Sequence, residues 1–232
     1  MSKILGIILL KSKSRRIKKK NFVKLNNKMM FQHVLEESIR SGKFSKIHLS
    51  TEDKKIALML SKLKEKKLYN KIDISFLRPP HMAEDKYGML DVLKYAVLKF
   101  KKKGEIYSGV CMIYATACLL KKNDIVKFVD CFKGLQKNKN VSLQTIVKYP
   151  APIEWAVSVN KSKLLNKINK KAHKKTSDSF EYKYYDSGGL HAFTEYSLMK
   201  SKNCKAYGYK LPYFKSIDID YPEDLAMVKK LM

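Results

Sequence analysis

Two carboxylates separated by one residue, Asp218-Ile219-Asp220, are the first chemistry-bearing feature of this 232-residue chain. In an extended strand alternate side chains share a face, so both acids would point the same way. Hard oxygen donors placed like this suit Mg2+ bridging to a nucleotide phosphate; an exposed pair at a strand edge is the plainer reading. The acids are scarce, 21 against 49 basic residues, which gives weight to two on one face. A second feature is the loop Lys11 to Asn21, rich in cations and hydroxyls, which follows an apolar run. At the carboxyl end of a strand such a loop can cradle a polyphosphate through N–H groups and cationic side chains. It can equally be a solvated charge run. It is not a P-loop, because G-x-x-x-x-G-K-[ST] is absent. Arg78, in Leu77-Arg78-Pro79-Pro80, offers a planar donor fork to a base, phosphate or carboxylate, or else a surface ion pair. Gly188-Gly189, within Tyr184 to His191, allows close backbone approach or a plain turn. The five histidines show no metal-ligand spacing, and the single tryptophan, Trp155, is a core or interface residue by default.

These groups need a scaffold, and the hydrophobic pattern supplies one. Ile4 to Leu10 is continuously apolar, as in a strand covered on both faces. Helical spacing follows over 29–40, closed by Ser41-Gly42, then a short strand over 47–50. Thr51 is positioned to cap a helix over 53–66. Strands over 72–77, 107–114 and 142–148 alternate with helices near 89–100 and 124–132. Strands alternating with helices predict an α/β fold, an open and mostly parallel sheet flanked by helices. Ligands then sit over the carboxyl ends of the strands. Residues 1–232 form a single domain in this reading. From 150 to 190 the pattern turns antiparallel and lysine-rich, with strands over 153–160 and 182–193, which suggests a small inserted dimerisation arm. Pro222 followed by two acids starts the last helix, 222–231.

At 45 % hydrophobic residues the chain can build a sizeable core. No apolar run approaches the roughly 18 residues of a membrane span, and a secretory signal would place its charge before the apolar run. A cytoplasmic protein without membrane partners is expected, with its four cysteines reduced and small in the core. The formal net charge of +28 raises nucleic-acid binding. Only four of the 49 basic residues are arginine, however, and base readout leans on the arginine fork. A nucleic-acid partner is therefore not expected.

In order along the chain, these segments resemble the acylneuraminate cytidylyltransferases, which activate sialic-acid-like sugars as CMP derivatives. The family motif I-P-A-R-G-G-S-K-R-I-x-x-K-N corresponds to Ile8 through Asn21, S-T-D-D to Ser50-Thr51-Glu52-Asp53, and L-R-P…A-x-D to Leu77-Arg78-Pro79…Ala83-Glu84-Asp85. The late D-I-D is Asp218-Ile219-Asp220. Cys111 to Ala117 and Tyr185 to Leu190 resemble the pseudaminic acid branch. The resemblance implies a nucleotide-diphospho-sugar transferase-like fold and transfer of CMP from CTP to the anomeric hydroxyl of a nonulosonic acid, releasing pyrophosphate. It implies Lys11, Ser14, Arg15, Asn21, Arg78 and Asp85 at the nucleotide, and Lys20, Asp218 and Asp220 at the catalytic centre, the two acids holding Mg2+ as cofactor. Tyr114, Thr116, Trp155, Asp186 and Gly188 would meet the sugar, and the arm would build a homodimer. The chain departs from the motif at Leu9, Lys11, Ser12 and Lys13, which replace proline, arginine and two glycines; Glu154-Trp155 stand where the branch has Gln-Arg. Glycines permit φ > 0, which serine and lysine adopt at a cost. Two readings follow, an active transferase with an altered loop and a degenerate relative that only binds.

Overall fold

The computed structural model describes residues 3–84, 86–200 and 203–232. Its elements run β1 (Ile4–Leu9), β2 (Lys24–Leu25), β3 (Lys28–Met29), α1 (Met30–Ser41), β4 (Lys46–Ser50), α2 (Lys54–Lys64), β5 (Ile72–Asp73) and α3 (Met89–Lys102). They continue with β6 (Gly109–Ile113), α4 (Lys122–Leu135), β7 (Val141–Lys148), β8 (Val157–Val159), β9 (Leu165–Lys167), β10 (Tyr184–Thr194), α5 (Glu195–Lys200), β11 (Lys205–Lys210) and α6 (Pro222–Leu231). Seven strands form one sheet in the order β11-β7-β10-β6-β1-β4-β5. Only β10 runs against its neighbours, pairing antiparallel with β6 and with β7. The chain moves outward from β1 through β4 to β5 and then returns to β6 on the other side of β1. The reversal lies between β1 and β6, where open α/β sheets leave a crevice.

The helices cover both faces because each carries an apolar stripe at helical spacing. One face packs Ile4, Ile8, Ile47 and Leu49 against Phe31, Val34 and Leu35 of α1 and Phe128 and Phe132 of α4. The other packs Leu5, Ile7, Val110 and Met112 against Leu93, Ala96 and Phe100 of α3. Helix α1 ends where expected, at Gly42 in a left-handed conformation with φ 67°.

Several expectations need correction. Asp53, not Thr51, caps α2, its carboxylate accepting from the N–H groups of Lys55 and Ile56. The third strand stops after two residues, at Asp73. The segment expected as an arm divides: β8 and β9 pair only with each other, whereas Tyr184 onward belongs to the main sheet as β10. Strand β11, a parallel edge partner of β7, was not anticipated. Asp218-Ile219-Asp220 is not a strand; 216–220 is irregular and crosses the top of the sheet after β11. Cys111 and Cys118 are buried, but Cys131 is exposed. Among the described residues no helix is long and apolar enough to cross a membrane.

Candidate functional site

Five stretches meet at the carboxyl end of β1: the loop after it, the turn after β4, the turn after β6, the start of β10, and the crossing segment 216–220. Ile219 fixes the last of these. It is fully buried among Leu25, Met30, Cys118 and Val228, so the acids on either side of it turn outward. The Asp224 carboxylate, at the start of α6, then accepts the backbone N–H groups of Asp220 (2.9 Å) and Tyr221 (2.8 Å). The pair thus shares a side, as alternation requires, without being part of a sheet.

Opposite lies the basic loop. Lys20 begins a short 3₁₀ turn, preceded by Lys19 in a left-handed conformation with φ 53°. Lys20 Nζ donates to Asp220 Oδ1 at 2.9 Å, and Arg16 Nη2 reaches the same oxygen at 2.7 Å. The Arg16 guanidinium also lies over the Tyr221 ring, 5.0 Å from its centroid. Burial alone would raise the Asp220 carboxyl, but these two cations outweigh it and hold it below its ordinary value. Asp218 is shifted the other way. Surrounding protein and the neighbouring Asp220 charge raise its carboxyl despite Lys20 and the Thr116 hydroxyl. Two carboxylates on one side of the segment are hard oxygen donors of the kind a divalent cation takes, although Lys20 and Arg16 already act on both.

Between the loop and these acids is a cleft of about 530 Å³ lined by Lys11, Lys13, Ser14, Arg15, Arg16, Lys20, Asn21 and Asp220. Five cations facing one carboxylate make it an anion site. A second cavity, about 420 Å³, adjoins it through Lys11 and is lined by Arg78 and by apolar side chains including Leu9, Met82, Ala83 and Val92. One cavity suits a chain of phosphates and the other a flat, partly apolar ring.

Arg78 is buried and engaged: Nη1 donates to the Ser50 carbonyl at 3.0 Å and Nη2 to Glu52 Oε2 at 2.5 Å. Glu52 stands directly after β4, within the motif segment Ser50 to Asp53, but the sequence assigned it no role of its own. Its other oxygen accepts both the backbone N–H (2.9 Å) and the hydroxyl (2.6 Å) of Ser12. Asp85 lies outside the described residues.

The third wall comes from β6 and β10. The β7–β10 register shifts between Asp186 and His191. Gly188, with φ +61°, sits so close to Asp218 that an added Cβ would lie 3.1 Å from Oδ2. Thr145 anchors the bulge, its hydroxyl accepting from Ser187 Oγ (2.7 Å) and the Leu190 N–H (2.9 Å). Tyr114 donates its N–H to the Gly189 carbonyl at 3.0 Å. Burial, then the Asp186 and Asp218 charges, raise its hydroxyl. Thr116 is buried and hydrogen-bonds Asp218. Burial lowers His191 to about 4 although Asp186 opposes the shift, so the imidazole is neutral at pH 7. Trp155 is elsewhere: its indole N–H donates to the Ala172 carbonyl at 3.1 Å, inside the arm, with Phe180 edge-on at 6.2 Å.

A family profile described as cytidylyltransferase matches residues 5–231. The pseudaminic acid cytidylyltransferase of Campylobacter jejuni subsp. jejuni serotype O:2 is 26 % identical over 232 residues, covering 99 % of this chain and 96 % of that one. Among solved structures, a CMP:2-keto-3-deoxy-manno-octonic acid synthetase complexed with CTP superposes with a TM-score of 0.65 at 13 % identity, covering 100 % of this chain and 98 % of the other. The 4-diphosphocytidyl-2C-methyl-D-erythritol synthase of Anaerococcus prevotii gives 0.62 at 11 % identity, over 99 % and 96 %. The last two likenesses establish the fold.

Proposed function

The chain belongs to the cytidylyltransferase family, and from that premise we propose that it moves CMP from CTP to the anomeric hydroxyl of a nonulosonic acid, pseudaminic acid first. The observation that carries the reading is the closure of the basic loop onto the acid pair, Lys20 against Asp220 at 2.9 Å. The substrate class follows the full-length likeness to a relative named for pseudaminic acid.

In this reaction the anomeric oxygen attacks the α-phosphorus, its proton passing to water, while the bond to the bridging oxygen breaks and pyrophosphate leaves with that electron pair. Phosphoryl transfer depends on positioning and on stabilising charge at the phosphate oxygens. We assign that work to Lys11, Ser14, Arg15, Lys20 and Asn21, with the nucleoside in the adjoining cavity beside Arg78. Asp218 and Asp220 would hold Mg2+, which when bound neutralises charge on the triphosphate. The wall formed by Tyr114, Thr116, Asp186 and Gly188 would face the sugar acid.

Ser12 and Lys13 are not among the residues at positive φ, so this conformation of the loop does not require glycine at either position. Nothing favours a purely binding role. The arm would pair two copies: Val159, Leu164, Leu165 and Ile168 are 61–70 % exposed on it, an apolar surface that association would cover. The reading places the enzyme in the cytoplasm, where CTP is made.

The test is pyrophosphate release with CTP and Mg2+ against a panel of nonulosonic acids. Release with pseudaminic acid is expected; folded protein releasing none with any sugar acid would overturn the proposal.

A further inference from the structure

We infer that Glu52 is a positioning residue for CTP, one carboxylate that ties the phosphate loop to the wall of the nucleoside cavity; the inference rests on the transferase reading above. The two ends of the tie differ in kind. Glu52 Oε1 accepts two hydrogen bonds from Ser12, one from the backbone N–H at 2.9 Å and one from the hydroxyl at 2.6 Å. Glu52 Oε2 accepts from Arg78 Nη2 at 2.5 Å. Arg78 is only 3 % exposed and its Nε has no partner among the described residues, so Glu52 and the Ser50 carbonyl are what hold it.

Ser12 follows Lys11, which lines both cavities, and Arg78 lines the apolar one. A ligand with a ring in one cavity and phosphates in the other therefore meets Arg78 at one end of the tie and Lys11 and Lys13, the neighbours of Ser12, at the other. Preforming that arrangement removes ordering cost at the moment of binding. Burial alone would raise the Glu52 carboxyl, but the Ser12 hydrogen bonds and the Arg78 charge hold it below its ordinary value. It stays ionised, with both oxygens available as acceptors.

Ser12 and Glu52 are also two places where this chain departs from the motif it resembles, glycine and aspartate standing there in the pattern. The hydroxyl that serine carries and glycine lacks donates to the Glu52 carboxylate. The loop is thus held by a side-chain bridge.

Glu52→Gln tests this with little change of shape. A carboxamide has one acceptor oxygen, so it can serve Ser12 or Arg78 but turns its NH2 against the other. CTP KM is expected to rise about tenfold while kcat stays within about twofold. Ser12→Ala should raise KM about threefold, and add nothing further in the Glu52→Gln background. Glu52→Asp, which keeps two acceptor oxygens, should retain more affinity than Glu52→Gln. Amide exchange at Ser12 in nucleotide-free protein should quicken about tenfold in Glu52→Gln. Unchanged KM, additive losses, or unchanged exchange at Ser12 would each overturn the inference. Wild-type protein that neither binds CTP nor releases pyrophosphate would instead remove the transferase reading, leaving the exchange rate to decide whether Glu52 clamps the loop.

Discussion

Gly188 stands against the Asp218 carboxylate so closely that a Cβ on it would lie 3.1 Å from Oδ2, and its φ of +61° is one that side-chain-bearing residues rarely adopt. Both constraints act on Gly188→Ala. It should cost about 1–2 kcal/mol of stability through backbone strain. It should also push Asp218 away and lower turnover by more than the loss of folded protein explains. Denaturant unfolding beside kcat measured on folded protein separates the two effects.

Asp220 carries little of the fold and much of the proposed chemistry. Its ion pairs with Lys20 and Arg16 are partly exposed, where such pairs add little to stability. Asp220→Ala should therefore leave the melting temperature within a few degrees of wild type. Pyrophosphate release should fall by a factor of about 100 or more. A variant that turns over at the wild-type rate would take the acid pair out of the site.

Chelation should stop the reaction, and added Mg2+ should restore it. Because Lys20 and Arg16 already hold Asp220 Oδ1, the free protein should bind Mg2+ weakly, and CTP should strengthen that binding by bringing phosphate oxygens. Calorimetric titration of Mg2+ with and without CTP measures the difference. Equal affinity in the two titrations would contradict the assignment.

The acid limit of stability should come from the β4–β5 edge of the sheet. Asp73 Oδ1 lies 2.9 Å from Nδ1 of the fully buried His48. Burial alone would raise the Asp73 carboxyl; the His48 hydrogen bond and charge, with the Ser75 N–H and hydroxyl, outweigh it and bring it down to about 2. A carboxyl with a lower pKa in the folded state stabilises the fold above its ordinary value near 4. That contribution, roughly 2 kcal/mol, is lost as pH falls from about 4 to about 2. Urea unfolding across that window should show the slope, and Asp73→Asn should flatten it.

The sheet was largely legible because its strands and helices carry continuous or 3.6-period apolar runs, and those runs report burial directly. Ile4–Leu9 and Met89–Lys102 are the clearest instances. Strand β11 was missed for the same reason: it is an edge strand, five of its six residues exposed, and exposure erases the pattern. Asp218 and Asp220 share a side although the strand assigned to them does not form, since burial of Ile219 alone enforces the alternation. Glu52 was missed because its meaning depends on partners 40 and 26 positions away, Ser12 and Arg78. Trp155 lies inside the arm, and its packing there depends on how 150–183 folds back on itself. A rare residue type does not report that.

Lys20 and Asp220 touch across 200 positions of chain, the first on the loop after β1 and the second on a segment made almost last. A ribosome therefore has to synthesise past residue 220 before the cleft has its acidic wall. The early strands can collapse around β1 long before then, which leaves the basic loop exposed and without its acidic partner. Catalytic competence would arrive as a late event in biosynthesis, separate from the onset of structure, and a chain released early would be folded in part but inert.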